Sequence, residues 1–161
     1  IINTNSIKDF SILAQTDNGA ATGINVNESG SIDLLNLDTF KINALTNSNN
    51  AKGISSTKKS TVNIEVDKDI VINAKGKFDE KQGTASIGVV ASDEGSVDLK
   101  SQNGNIIINN IINNYNEKVL NELNKSDIGV QVNDAGQVNL EAKNISINGN
   151  QGIVVGTSAA K

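Results

Sequence analysis

Short alternations of apolar and polar residues recur along the chain. The first complete set has apolar residues at Ile24 and Val26, at Ile32 and Leu34, and at Phe40 and Ile42. A period of two residues is typical of a β-strand, in which successive side chains point to opposite faces. Because strands with only two inward apolar groups are not stable alone, the pattern predicts many short strands buried against one another.

The same set returns along the chain, and each copy is counted from a glycine. Complete copies begin at Gly23, Gly53, Gly88 and Gly129, and another opens at Gly152. Gly or Ser follows at the seventh position after the glycine, and apolar residues follow at the ninth and eleventh. A further apolar pair closes every copy and is followed by Asn; the pairs are Phe40/Ile42, Ile70/Ile72, Ile106/Ile108 and Ile145/Ile147. The chain is therefore built from internal repeats.

The repeats predict the fold class. If every copy makes one coil of three strands, equivalent strands of successive coils stack as parallel sheets around one core. Crossover connections between parallel strands are right-handed in nearly all known cases. We predict an all-β, right-handed parallel β-helix (a solenoid) of about five coils. Since the chain has no Met and begins within the pattern, we expect residues 1–161 to be one segment of a longer solenoid. We also expect Gly or Ser at the seventh position to allow a tight corner.

The extra residues between repeats all fall at one place. The starting glycines are 30, 35, 41 and 23 residues apart, and the excess lies between the closing Asn and the next glycine. We therefore predict insertions at 44–52, 75–87 and 110–128, which project from one edge of the solenoid. Such an edge is often the binding face of a repeat protein.

The longest insertion has a helical pattern. Its apolar residues are spaced by three, four and four positions, and they are Ile112, Tyr115, Val119 and Leu123. This stripe predicts one short α-helix over 114–125, with Glu117, Lys118 and Glu122 on its other side. The helix is either a protruding recognition element or a helix that packs its apolar stripe on the solenoid wall.

The second insertion mixes charged residues around one aromatic residue, Phe78. This composition predicts a solvated loop. Phe78 either anchors a partner or packs locally within the loop.

Outward positions of the repeats also form rows. Ten residues after the starting glycines stand Asp33, Asn63, Asp98 and Asn139, and two positions later stand Leu35, Glu65, Lys100 and Glu141. The first row predicts a polar ladder on one outer sheet face, in which Asn between Asp residues avoids a run of like charge. The ladder either zips against a second copy of the protein or is a solvated face whose neighbours share hydrogen bonds.

Composition narrows the possible functions. The chain contains 26 Asn but no Pro, Cys, Met, His, Trp or Arg, and its net charge is −4. Without Cys and His, a structural zinc site, disulfides, and Ser/His/Asp or Cys/His catalysis are excluded. The missing Arg and the negative charge predict no nucleic-acid partner. Apolar runs fall far short of the ~20 residues that span a bilayer, so we expect no membrane insertion of this segment.

Close pairs of carboxylates raise the question of catalysis or metal binding. The pairs are Asp67/Asp69, Asp79/Glu80 and Asp93/Glu94. We place each pair at a turn between strands, where no Arg or His can assist it, and the chain has no repeated calcium motif. We therefore predict no enzymatic activity, no cofactor and no metal site.

The repeat unit G-[IV]-x-x-x-x-x-[GS]-x-[VI]-x-[LI], which covers residues 7 to 156 with its flanks, resembles a known family. It is similar to the passenger region of bacterial type V autotransporter adhesins and to filamentous-haemagglutinin-like adhesins. The resemblance implies export through a C-terminal β-barrel outside this chain and exposure on the bacterial cell surface. The implied function is adhesion, autoaggregation or biofilm contact, with a protein on another cell or a second copy as partner.

Two other functions are compatible with the predicted fold. One is a passive structural stalk that carries a distal head. The other is a phage tailspike or a polysaccharide-active enzyme built on the same solenoid. The stalk would leave every insertion dispensable, whereas the enzyme would need a cleft with facing carboxylates.

Overall fold

The computed structural model describes residues 7–76, 86–112 and 127–156. These residues form fourteen β-strands and contain no helix. All strand pairings within this part of the chain are parallel and join strands that are three apart in sequence order. The prediction of an all-β chain with stacked parallel sheets is confirmed.

The strands divide into three sheets that the chain visits in turn. Sheet A contains β1 (Asp9–Thr16), β4 (Thr39–Thr46), β7 (Ile70–Gly76), β10 (Asn105–Ile112) and β13 (Asn144–Asn148). Sheet B contains β2 (Ala21–Val26), β5 (Ala51–Thr57), β8 (Ser86–Ser92), β11 (Asp127–Asn133) and β14 (Gln151–Gly156). Sheet C contains β3 (Ser31–Leu37), β6 (Thr61–Val66), β9 (Ser96–Ser101) and β12 (Gln137–Glu141).

The register places equivalent residues of successive repeats side by side. In sheet A, Ile42 pairs with Ile12 and with Ile72, and Ile108 pairs with Ile72 and with Ile147. In sheet C, Leu99 pairs with Ile64 and Leu140. The alternation that predicted the strands therefore also set their register, because a shift by one residue would turn every apolar side chain outward.

One hydrophobic core lies between the three sheets. Its buried residues come from all of them, for example Ile72 from sheet A, Ile54 from sheet B and Ile64 from sheet C. The rings of Phe10 and Phe40 stack in adjacent strands with centroids 5.9 Å apart. The central inward rows, such as Ile12–Ile42–Ile72–Ile108, are thus ladders of like side chains that run from repeat to repeat.

The starting glycines form a row of their own in sheet B, and close packing requires it. A Cβ atom on Gly53 would collide with the Ile72 side chain and with the Gly88 carbonyl group. The same collisions recur at Gly88 with Ile108 and at Gly129 with Ile147. The isoleucines of sheet A therefore fill the space that a side chain in sheet B would need.

The tight corner between sheets B and C contains residues with left-handed backbone. In each of the four turns, the two residues before the seventh position have positive φ angles. These residues are Glu28 and Ser29, Lys58 and Lys59, Asp93 and Glu94, and Asp134 and Ala135. The corner is tight at the seventh position, as expected, but its left-handed residues are the two that precede the Gly or Ser. A Cβ on Gly95 or Gly136 would instead meet backbone atoms of the neighbouring repeat, so close approach explains these glycines.

Serine takes the seventh position once, and its hydroxyl has a structural role. Ser60 Oγ donates to the carbonyl of Val26 at 2.9 Å and accepts from the backbone N–H of Thr57 at 2.8 Å. Ser56 Oγ lies 2.8 Å from Ser60 Oγ. The hydroxyl therefore joins two successive corners.

Strands extend into all three predicted insertions. Residues 44–46 continue β4 and residue 51 begins β5, so the first connection covers only 47–50. Likewise β7 runs to Gly76 and β10 to Ile112, while β8 starts at Ser86 and β11 at Asp127. The alternation of inward side chains continues through Ala44 and Thr46, which are both buried. The sequence pattern did not show this, because such small residues do not mark an inward face. The helix predicted over 114–125 and the loop around Phe78 lie outside the described residues.

Replacing Gly53 with Ala tests the glycine row. We expect Gly53→Ala to lower the free energy of unfolding by about 3 kcal/mol, because neither the Ile72 side chain nor the Gly88 backbone can move away freely. Urea unfolding followed by circular dichroism measures the change. Gly152→Ala is the matched control, since nothing lies within 4 Å of its added Cβ. Equal stability of the two variants would contradict the packing argument.

The turn geometry gives a second test at Ala135, an exposed residue with φ of 60°. We expect Ala135→Gly to raise the free energy of unfolding by about 1 kcal/mol, because glycine adopts the left-handed region without the steric cost of a Cβ. The control is Ala20→Gly, at an exposed position without positive φ, which should slightly destabilise the protein. A loss of stability in both variants would show that the corner does not strain its residues.

Candidate functional site

The predicted polar ladder lies on the outer face of sheet C. Asp33 pairs with Asn63, Asn63 with Asp98 and Asp98 with Asn139 in the strand register. Asn63 Nδ2 donates to Asp33 Oδ1 at 2.6 Å, and Asn139 Nδ2 donates to Asp98 Oδ1 at 2.5 Å. The stacking is therefore confirmed, and two of the three neighbouring pairs share a hydrogen bond. Each Asn supplies the donor that the adjacent carboxylate needs.

The second predicted row is only partly continuous. Lys100 pairs with Glu65 and Glu141 in the register, and its Nζ lies 3.9 Å from Glu141 Oε1. Gln102 Nε2 donates to Glu65 Oε1 at 2.6 Å. Leu35 does not join the row, which corrects the prediction. The register shifts between Leu34 and Leu37, so two residues of β3 oppose one residue of β6 in a β-bulge.

Sheet A carries a longer ladder on its outer face, formed by the Asn that closes every repeat. Asn73 Nδ2 donates to Asn43 Oδ1 at 2.8 Å, Asn109 to Asn73 at 3.0 Å and Asn148 to Asn109 at 2.8 Å. The amide group both donates and accepts, so it can stack on its own kind without an unpaired partner. The sequence revealed the recurrence of Asn but not this role.

Two of the three carboxylate pairs, Asp67/Asp69 and Asp93/Glu94, lie at turns, as predicted. Both carboxylates of the first pair accept hydrogen bonds from the neighbouring repeat. Asp67 Oδ1 accepts from Asn103 Nδ2 at 2.6 Å, and Asp69 Oδ1 accepts from both nitrogens of Asn105 at 2.8 and 3.0 Å. Asp93 and Glu94 are exposed at a corner, where Lys59 Nζ lies 3.7 Å from Glu94 Oε2. Asp79 and Glu80 fall outside the described part. Among the described residues, no group of three His, Cys, Asp or Glu side chains is arranged to hold a metal ion.

A buried polar corner, defined as Ser86, Asn110 and Asp127, was missed by the sequence analysis. Ser86 and Asp127 continue a row that has alanine at Ala21 and Ala51. Asn110 continues another row of alanine at Ala14, Ala44 and Ala74. The signal was therefore present in the aligned repeats, as small apolar residues replaced by polar ones.

The corner connects the strands around the two longest connections. Ser86 begins β8, Asp127 begins β11, and Asn110 stands near the end of β10. Ser86 Oγ donates to Asp127 Oδ1 at 2.8 Å, and Asn110 Nδ2 donates to the carbonyl of Ile128. Asn110 is 8% exposed and Asp127 is 3% exposed. The Oδ1 atom of Asn110 is buried and has no hydrogen-bond partner.

Burial changes the acidity of Asp127. Loss of solvation raises the pKa of the Asp127 carboxyl to about 6, although the hydrogen bond from Ser86 acts in the opposite direction. Desolvation disfavours the charged form, and this effect dominates. Asp127 is therefore a group whose protonation changes in mildly acidic solution.

A second apolar cluster lies outside the main core, on sheet B. Ile87, Val90 and Ile128 are buried together, with Val154 packed against them. Alternation along β8 puts Val90 on the face opposite Val89, which belongs to the main core. The outer face of sheet B is thus apolar around β8, whereas the same rows carry Lys52 and Ser55 in β5.

The ladder of sheet C ends at a recess. A hollow of about 500 Å³ runs along β9 and β12, and its lining includes Asp98, Lys100, Asn139 and Glu141. The other predicted interaction residues lie outside the described ranges; they are Phe78, Tyr115, Glu117, Lys118 and Glu122.

Comparison with known proteins found no matching family model, no matching curated protein and no matching solved structure. In the described ranges, no helix has the length and apolar character needed to span a bilayer.

The raised pKa of Asp127 predicts a pH-dependent stability. The folded protein keeps this proton up to about pH 6, whereas the unfolded chain loses it near 3.8. Stability from this group is therefore fully present below 3.8 and is lost as the pH rises to about 6. In metal-free buffer at pH 7.5, we expect the free energy of unfolding of Asp127→Asn to be about 1 to 2 kcal/mol higher than that of the wild type. This value allows for partial solvation of the Asp127 carboxylate.

Urea unfolding of both proteins between pH 4 and pH 7.5 measures the difference. The advantage of Asp127→Asn should shrink as the pH falls. Parallel pH profiles for the two proteins would show that Asp127 ionises alike in the folded and unfolded states.

Proposed function

We propose that the chain forms a right-handed parallel β-helix of about five coils and belongs to a bacterial cell-surface adhesin. In this proposal, the outer face of sheet C adheres to a second copy of the chain. The return of the chain to each sheet after three strands supports the coil geometry. The resemblance of the repeat unit to autotransporter passenger regions supports the cell-surface location.

The observation that carries the proposal is the polar ladder Asp33–Asn63–Asp98–Asn139. Its members follow the strand spacing of a sheet, which is about 4.8 Å. Asn side chains have two N–H donors, and the ladder bonds from Asn63 and Asn139 each use one of them. A second copy has the same spacing of donors and acceptors, so many weak contacts can form together.

The neighbouring row adds charge to the same face. Glu65, Lys100 and Glu141 alternate in sign along the sheet. A second copy placed with its row offset by one strand would meet two of the three charges with the opposite charge. Such pairs at an exposed surface contribute little singly, about 0 to 1 kcal/mol each. Adhesion by this face therefore depends on the number of repeats in contact.

A passive stalk is the second candidate function, and one observation favours it. The ladder bonds run along the axis within one molecule, as in Asn43–Asn73–Asn109–Asn148. Bonds in this direction hold successive repeats together and stiffen the chain against bending. A stalk would use the same ladders without any contact to a partner.

Bead clumping separates the two functions. Beads coated with the purified chain are compared with beads coated with Asn63→Lys/Asn139→Lys, which changes the ladder of sheet C. We expect clumping to fall by about tenfold or more in this variant, a change of ~1.4 kcal/mol in contact free energy. The lysines lie beside Asp33 and Asp98, so the fold should be retained, and circular dichroism checks it.

The matched control is Asn73→Lys/Asn148→Lys. It removes two ladder donors from the same two repeats, but on sheet A. This control should clump like the wild type. Equal loss in both variants would contradict adhesion through sheet C, and a wild type that does not clump would favour the stalk. A further variant, with residues 114–125 replaced by a Gly/Ser loop, tests adhesion through the long insertion. If this variant alone failed to clump, adhesion would occur through the insertion and not through sheet C.

A further inference from the structure

The buried polar corner has more acceptor atoms than donors. It contains the carboxylate of Asp127, the amide oxygen of Asn110 and the hydroxyl of Ser86. The hydroxyl proton goes to Asp127 Oδ1, and the amide nitrogen of Asn110 is directed to the Ile128 carbonyl. Asn110 Oδ1 therefore stays without a partner in a buried position. A buried unpaired acceptor costs about 1 to 3 kcal/mol, so a ligand that supplies positive charge would be favoured here.

Two glycines, Gly88 and Gly149, lie next to these polar groups. A Cβ placed on Gly88 would lie 3.2 Å from Asn110 Oδ1. A Cβ placed on Gly149 would lie 3.2 Å from the Asp127 carbonyl oxygen and 3.5 Å from Asn110 Nδ2. At Gly88 the Ile108 side chain and the Gly129 carbonyl already take up the space of a side chain, so only Gly149 leaves a small volume beside the Asn110 amide and the Asp127 backbone.

The ligand set is made of oxygen atoms only. Carboxylate, amide, hydroxyl and backbone carbonyl oxygens suit hard cations, whereas soft metals prefer nitrogen and sulfur. Calcium accepts six to eight such ligands in flexible geometry, and waters complete the set. Magnesium demands a stricter octahedron and gives up its waters reluctantly.

We propose that Asp127, Asn110 and Ser86 form a binding site for a hard cation, with calcium as the best match. The cation neutralises the buried carboxylate and satisfies the orphaned amide oxygen. It also joins the end of β10 with the starts of β8 and β11, and so fixes the two strands to which the longest connections return. With one carboxylate the affinity is low, with a Kd of about 0.1 to 1 mM.

Thermal unfolding with and without calcium tests the site. The wild-type chain is dialysed against chelator at pH 7.5 and melted with and without 5 mM CaCl2 at constant ionic strength. We expect calcium to raise Tm by about 3 °C. Asp127→Ala should shift by less than about 1 °C, and Asn110→Ala should show a smaller shift than the wild type. Both variants recreate the alanine that their rows carry in earlier repeats, and circular dichroism confirms that they fold.

Asp93→Asn is the matched control, because it removes one carboxylate from an exposed corner where Asn tolerates the positive φ of 50°. It should keep the full shift. Titration calorimetry should give one site per wild-type chain and at least a tenfold loss of affinity in Asp127→Ala. Sodium, potassium and magnesium chloride at equal ionic strength identify the preferred cation. No shift in the wild type, or an equal shift in Asp127→Ala, would overturn the proposal.

Discussion

The constraint on which the structure depends is parallel stacking in register. It puts each residue beside its own equivalent in the next repeat, so every row must tolerate repetition of one chemical type. Apolar rows such as Ile12–Ile42–Ile72 do so by burial. An exposed row of one charge would repel itself. Asn avoids this problem because its side chain donates to one neighbour and accepts from the other, which explains why Asn is so abundant in this chain.

In most rows that contain charged residues, positive and negative side chains alternate from repeat to repeat, so that like charges do not stack. Lys58 lies over Glu28 with Nζ 3.3 Å from Oε1, and Lys68 lies over Asp38 with Nζ 3.5 Å from Oδ2. These ion pairs are exposed and individually weak. Their main effect is to avoid like charges in adjacent repeats. The core supplies the stabilisation, and the outer rows avoid repulsion between neighbouring repeats.

The repeat alignment predicted the strands, their parallel pairing and the polar ladder of sheet C because each of these follows from periodicity. The errors came where periodicity gives no signal. Ala44 and Thr46 extend β4, but small or polar residues do not mark an inward face. The left-handed turn residues are Lys, Glu, Ser, Asp and Ala, and nothing in their sequence pattern marks a positive φ. The bulge at Leu35 depends on backbone geometry, and a sequence of alternating residues does not reveal it.

The buried polar corner shows where a repeat protein departs from repetition. Two rows keep alanine through the first repeats and then change to Asn110, Ser86 and Asp127. Packing does not require this change, because Ala44, Ala51 and Ala74 fill the same positions elsewhere with complete burial. Polar groups in a core are costly unless they are satisfied, and Asn110 Oδ1 is not satisfied within the protein. The change coincides with the strands that flank the two longest connections. A local loss of stability at that place is best understood as the requirement of a ligand or a contact that the regular repeats do not need.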